Sequence, residues 1–317
     1  MKDTLSVGLA QISPVFLNRE KTLQKVVKYI RMAGEQGCDL VTFGEALAPG
    51  YPFWVERSNG AVFESPRQKK LFARYAEEAV DIAAGHLQTV CQAAKEAQTA
   101  VILGCIEKAS DRSGHSLHAS LVYINRSGEI ASVHRKLVPT YEERLVWAPG
   151  DGNGLRVHAL EKFKVGGLNC WENWMPLPRA ALYAQGEDLH VAIWPGSERN
   201  TVDISRFIAK ESRSYVISVC GMLQYADLPA DIPDRDQIFS PNDAPYGDGG
   251  SCIAAPDGTW LLEPQTGKEG LFVAELDHSK VREERQNFDP SGHYSRPDVT
   301  RLHINRSRQN ILNIEED

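Results

Sequence analysis

Between Val165 and Pro178 an apolar, strand-like run delivers Cys170 into a turn ahead of a helical segment. A sulfur placed there can act as a nucleophile, because backbone N–H groups and the positive end of the following helix favour thiolate over thiol. Gly166 and Gly167 keep the approach narrow, so another backbone or a substrate can come close. A free cysteine more often just fills a core, so its neighbours must decide. Two further apolar runs end in groups of matching use: Glu45 follows Leu40–Phe43, and Lys136 follows Ile130–His134. Ligand sites in α/β sheets gather beyond the carboxyl ends of strands. If the three ends meet, Glu45 takes the proton from Cys170 and later activates water. Lys136 then holds the thiolate and stabilises charge developing on a substrate nitrogen or oxygen.

A second acid in Tyr141-Glu142-Glu143-Arg144 can fix the lysine and keep it protonated. Read as a strand, where neighbours point opposite ways, only one of the two glutamates can do so. His134, in strand phase with Lys136, is the base that a Cys-His hydrolase would need. The aromatics Tyr51, Phe53, Trp54, Trp171, Trp174 and Trp194 sit next to these loops and suit an apolar pocket.

Positioning these groups requires alternating elements. Leu5–Ile12 reads as a strand, and Asn18 caps a helix whose apolar face is Leu23, Val26, Val27 and Ile30. Pro66 to about Gln98 has helical periodicity with a break at Gly85. Val101–Ile106, Ser120–Asn125 and Ile130–His134 read as strands, the last two around Arg126-Ser-Gly128. Beyond Cys170 come a helix over Leu177–Gln185, a strand over Leu189–Trp194, a helix around Val202–Ser214 and a strand over Tyr215–Gly221. Asp227–Gly250 is a long loop of the kind that is functional or interfacial. Ser251–Ala255 and Gly258–Glu263 form a hairpin, followed by a strand over Leu271–Leu276 and a short helix over Ser279–Gln286. Strand–helix units mixed with hairpins fit two sheets face to face with helices outside, a four-layer α-β-β-α sandwich. No linker divides residues 1–317, and the polar tail over residues 290–317 is expected to pack on a partner subunit or fray.

The 317 residues suit one large domain or two modest ones. With 42 acidic against 35 basic residues, a formal charge of −7 and no Lys/Arg run, neither nucleic acid nor an anionic membrane is the expected partner; a small molecule is. Cys38, Cys91, Cys105, Cys170, Cys220 and Cys252 form no C-x-x-C pair, which speaks against a disulfide framework or zinc knuckle and for reduced thiols. Met1–Leu9 carries no basic patch ahead of a long apolar core, and no apolar stretch approaches the roughly 18–20 residues that span a bilayer. The expected location is the cytoplasm.

Phe43-Gly-Glu45, His134-Arg-Lys136-Leu-Val-Pro-Thr-Tyr-Glu-Glu143-Arg and Asn169-Cys170-Trp-Glu-Asn173 together resemble the three signature stretches of the nitrilase branch of the carbon–nitrogen hydrolase superfamily. The likeness runs from Val7-Gly-Leu-Ala-Gln11 to Asp289-Pro-Ser-Gly-His293-Tyr-Ser-Arg-Pro297. It implies Cys170 as nucleophile, Glu45 as general base, Lys136 as electrostatic and proton-donating partner, and Glu143 rather than Glu142 as the second glutamate. It also implies the αββα fold, no metal or organic cofactor, and homo-oligomers built from dimers, often extended into spirals. Tyr51, Trp54, Trp171, Glu172 and Trp194 are the expected substrate contacts. The expected reaction is hydrolysis of a nitrile to acid and ammonia through thioimidate and thioester, with some amide release. An amidase, a carbamoylase or a cyanide-hydrolysing enzyme would use the same residues.

Overall fold

In the computed structural model, which describes residues 2–312, the central strands are buried along nearly their whole length, each presenting one row of side chains on either face of its sheet. The strands are β1 (Thr4–Gln11), β2 (Leu40–Phe43), β3 (Ala100–Lys108), β4 (Leu117–Ile124), β5 (Ile130–Arg135), β6 (His158–Leu160), β7 (Phe163–Asn169), β8 (Leu189–Trp194), β9 (Tyr215–Cys220), β10 (Met222–Leu223), β11 (Gly247–Ala254), β12 (Trp260–Thr266) and β13 (Gly270–Asp277). The helices are α1 (Arg19–Glu35), α2 (Trp54–Arg57), α3 (Pro66–Glu77), α4 (Gln88–Ala97), α5 (Pro176–Tyr183), α6 (Val202–Ser212), α7 (Arg235–Ile238) and α8 (His278–Asn287). Asn18 caps α1 as expected, its side chain accepting from the Lys21 N–H, a contact worth about 1 kcal/mol.

One sheet runs β13-β1-β2-β3-β4-β5, the other β10-β11-β9-β8-β7-β6 with β12 on β11. Val7 and Leu9 of β1, Leu40 of β2 and Ile102 of β3 meet Val165, Val191, Ile217 and Val219 of the other sheet in a core between the sheets. The opposite faces are covered from outside. Val41, Val101 and Leu103 pack under Val26 and Ile30 of α1 and Val90 of α4. Ala192, Trp194 and Val216 pack under Ile204 and Ile208 of α6. The molecule is therefore an α-β-β-α sandwich. None of its described helices is long and apolar enough to cross a membrane.

The loop expected over residues 227–250 ends at 246, where β11 begins; it contains the short helix α7 and is pinned by three arginines of the 57–74 region. Arg57 donates to the Ile238 carbonyl at 3.0 Å and lies 5.0 Å over the Tyr246 ring, Arg67 pairs with Asp234 at 2.8 Å, and Arg74 pairs with Asp231 at 3.0 Å. Part of the tail folds back on its own chain: Arg308 pairs with Asp151 at 3.0 Å, and Asn153 donates to the Arg306 carbonyl at 3.0 Å. Residues 313–317 of that tail lie outside the described residues.

Candidate active site

Three strand ends meet at one edge of the seam between the sheets. Glu45 lies two residues beyond β2, Lys136 directly follows β5, and Cys170 directly follows β7. The sheets approach closely here: the Glu45 N–H and the Gly221 N–H both donate to the Trp194 carbonyl, at 3.0 and 3.1 Å. A Cβ on Gly44 would lie 2.5 Å from the Gly221 nitrogen and 2.8 Å from that carbonyl oxygen, so this approach requires glycine.

Lys136 is the centre of the cluster, its Nζ 2.9 Å from Glu45 Oε1 and 2.7 Å from Glu143 Oε2. One ligand atom each of Glu45, Glu143 and Cys170 lie within 4.8 Å of one another. All four side chains are buried, with residue exposures of 1–3%. Such spacing of two carboxylates and a sulfur could also hold a cation, and the Lys136 ammonium, within reach of both carboxylates, already supplies that charge. Glu143 is further fixed by the Thr140 N–H at 2.6 Å and by the Tyr51 hydroxyl, which donates to Oε1 at 2.9 Å. Among the described residues Glu45 Oε2 has no hydrogen-bond partner, while Oε1 faces the Lys136 ammonium.

Burial pushes the Glu45 carboxyl up to about 7, with Glu143 adding to the rise and Lys136 opposing it. Burial works against the Lys136 ammonium, yet interaction with the anionic forms of Cys170, Glu45 and Glu143 outweighs it and holds the lysine protonated. The thiol of Cys170 is pushed well above its ordinary value by burial and by Glu45; Lys136 and the Trp171 N–H pull the other way. The expected help from a helix N-terminus does not dominate. Cys170 opens a 3₁₀ turn that ends at Trp174, and the resting state is thiol beside a carboxylate poised to receive its proton.

Two expectations about phase change here. Tyr141–Leu145 is a 3₁₀ turn rather than a strand, and this turn, not strand alternation, buries Glu143 and leaves Glu142 partly exposed. His134 is buried, but its Nε2 contacts Glu172 Oε2 at 2.9 Å.

Of the expected substrate contacts, Tyr51 lines a narrow crevice together with Glu45, Phe53, Pro195 and Met222. The other four do not line it. Trp54 is buried edge-on against Tyr75, ring centroids 6.1 Å apart. Trp171 is half exposed and stacks on Trp174. Trp194 turns its indole N–H to Ser218 and serves this region through its backbone carbonyl. Glu172 is fully engaged within the protein: it accepts from the Leu137 N–H at 3.0 Å and the Asn169 N–H at 3.0 Å as well as contacting His134. One carboxylate thus ties the residue after Lys136 to the residue before Cys170. The i, i+3 spacing of Asn169 and Glu172 ahead of a turn was the sequence signal for that role.

A carbon–nitrogen hydrolase description matches residues 6–286. The chain belongs to the carbon–nitrogen hydrolase family. This hydrolase is 36% identical over 306 residues to Nitrilase 2 from an unknown prokaryotic organism, covering 96% of this chain and 94% of that one. It is 31% identical over 330 residues to an aliphatic nitrilase of Rhodococcus rhodochrous, covering 98% and 85%. Its fold is similar to the crystal structure of a carbon–nitrogen hydrolase from Helicobacter pylori G27, with a TM-score of 0.69, 20% identity, and 93% and 96% of the two chains covered.

Proposed function

We propose that this carbon–nitrogen hydrolase converts nitriles to carboxylic acids and ammonia, with Cys170 as nucleophile, Glu45 as general base, and Lys136 held by Glu143 as the charge-stabilising partner. The observation that carries the reading is the buried ammonium of Lys136 within 3 Å of two carboxylates beside a thiol, with Glu45 raised to about 7. Likeness to proteins named nitrilase over nearly the whole chain supports the nitrile as substrate.

The thiol proton of Cys170 passes to Glu45 as the sulfur adds to the nitrile carbon, and the nitrile nitrogen takes up a proton from the Glu45/Lys136 side, giving a thioimidate. Glu45, again a carboxylate, removes a proton from water, which adds to the thioimidate carbon. The tetrahedral adduct expels ammonia and leaves a thioester. A second water, activated in the same way, releases the acid and restores the thiol. If the adduct expels the thiol instead, an amide is the product. The ammonium of Lys136 serves each step by balancing negative charge in a site sheltered from water.

Cys170→Ala tests the scheme with ammonia release from a panel of nitriles and the matching amides as readout. Loss of nitrile turnover in a protein of unchanged melting temperature is expected; substantial remaining turnover rejects the nucleophile, and amide turnover without nitrile turnover in the wild type rejects the substrate class. We also propose that the chain works as a homo-oligomer, for which the exposed Trp171, Trp174, Leu177 and Phe207 provide an apolar face.

A further inference from the structure

Cys170 occupies left-handed backbone, φ +50°, where β7 gives way to the 3₁₀ turn. A residue with a side chain keeps that conformation only where its surroundings over-determine it. Here the amide of Asn173 does so. Its Nδ2 donates to the Cys170 carbonyl at 2.8 Å and to the Leu168 carbonyl at 3.3 Å. Both partners are acceptors, so this end of the amide must be the NH₂ and Oδ1 must face the other way. Oδ1 lies 2.7 Å from Nε2 of His190, which must therefore carry a hydrogen. The remaining imidazole nitrogen, Nδ1, faces both oxygens of Glu187 at 3.0 and 3.1 Å. With Nε2 committed to donating, one proton has to lie between Nδ1 and the carboxyl group.

Glu187, His190 and Asn173 are fully buried, and none lines the crevice at Glu45. Room for Glu187 is kept by Gly166, where a Cβ would lie 2.1 Å from its Oε1.

We propose that Glu187, His190 and Asn173 are positioning residues for the nucleophile: the proton shared by Glu187 and His190 fixes the imidazole tautomer, the tautomer fixes the Asn173 amide, and the amide fixes the turn that presents the Cys170 sulfur. The inference rests on the reading of Cys170 as nucleophile. Removing the shared proton creates a conflict, because an imidazole with one N–H can satisfy Glu187 or Asn173 but not both. Turned toward Glu187, it sets a lone pair against Oδ1, the amide rotates, and an oxygen then faces two carbonyls. The charged and titratable groups around the pair are Asp188 beside it in the chain, Arg285 of α8, which donates to the Glu187 carbonyl at 2.5 Å, Tyr183 of α5, and Arg179 of α5, which donates to the Asn173 carbonyl at 2.8 Å. Burial pushes the Glu187 carboxyl up, with His190 opposing, so a proton in the pair is retained above the ordinary carboxylate range.

Glu187→Gln tests the idea directly. Its amide NH₂ can donate to Nδ1 of a neutral His190, so the chain of donors survives with no proton to lose. The expected enzyme has kcat within about threefold of wild type at neutral pH, and the alkaline fall of wild-type kcat is removed or moved up by about one pH unit or more. His190→Leu removes the donor to Asn173 and should lower kcat by about 10- to 100-fold while KM stays within about threefold. The proposal is overturned by a His190→Leu enzyme of wild-type kcat, by a Glu187→Gln enzyme with the wild-type alkaline limb, or by one as inactive as His190→Leu. If His190→Leu does not fold, the Glu187→Gln profile decides. Persistent activity in Cys170→Ala would instead sink the nucleophile assignment, whatever these variants do.

Discussion

Glu45→Gln keeps the shape of the side chain and removes its charge. Burial raises the folded-state value of Glu45 from 4.5 to about 7 in spite of Lys136. A shift of that size makes ionising Glu45 in the fold about 3 kcal/mol harder than ionising it in the unfolded chain. The folded state therefore holds a proton that the unfolded chain has released, and the associated stability is present below about 4.5 and is lost as pH rises through about 7. Glutamine has nothing to ionise. Going from pH 5 to pH 8.5, the variant should gain about 2.5 kcal/mol on the wild type. For 317 residues, at about 2.1 cal/mol/K per residue, that is about 4 °C in melting temperature. The same substitution removes the base, so kcat should fall by about 10²- to 10⁴-fold, and wild-type kcat/KM should decline below pH 7 as Glu45 takes up its proton. Thermal unfolding of both proteins at the two pH values, beside ammonia release, measures all of this. A melting difference that does not widen between the two pH values, or a variant keeping a tenth of the activity, refutes the reasoning.

Tyr51→Phe deletes the donor to Glu143 Oε1, a contact worth about 0.5–1.5 kcal/mol, so kcat should drop by about 2- to 10-fold with little change in melting temperature. A larger loss in KM than in kcat would place Tyr51 on substrate rather than on Glu143. Glu172→Gln turns one carboxylate oxygen that accepts an N–H into an NH₂ that opposes it. It should destabilise by about 1–3 kcal/mol and lower kcat together, and unchanged unfolding would show that the bridge between Leu137 and Asn169 is dispensable.

The strands that carry the site were readable because each is a short apolar run closed by a turn: Leu40–Phe43 and Leu189–Trp194 lie where the pattern puts them. The meeting of Glu45, Lys136 and Cys170 followed from the rule of strand ends, since both sheets bring those ends to one seam. Glu143 was a different case. Local pattern suggested strand phase, and the 3₁₀ turn that buries it depends on Thr140 and on Lys136, a partner supplied by tertiary contact. Trp54 and Trp171 show the limit of reading aromatics by proximity, because chain neighbourhood does not say which face of a turn meets solvent. His190 gave no signal at all: inside a buried strand it reads as one more core position, and its use appears only when Asn173 and Glu187 are seen on either side.

Because Glu45, Lys136 and Glu143 hang from one sheet and Cys170 from the other, the reacting group is a gauge of how the two halves of the sandwich are seated. A sideways slip of a few tenths of an ångström at Leu9, Val191 or Ile217, far from any substrate, changes the sulfur-to-carboxylate gap while leaving each sheet intact. Turnover should consequently register substitutions in the inner layer well before folding does, and variants selected for altered rate should accumulate there as well as around the mouth of the crevice.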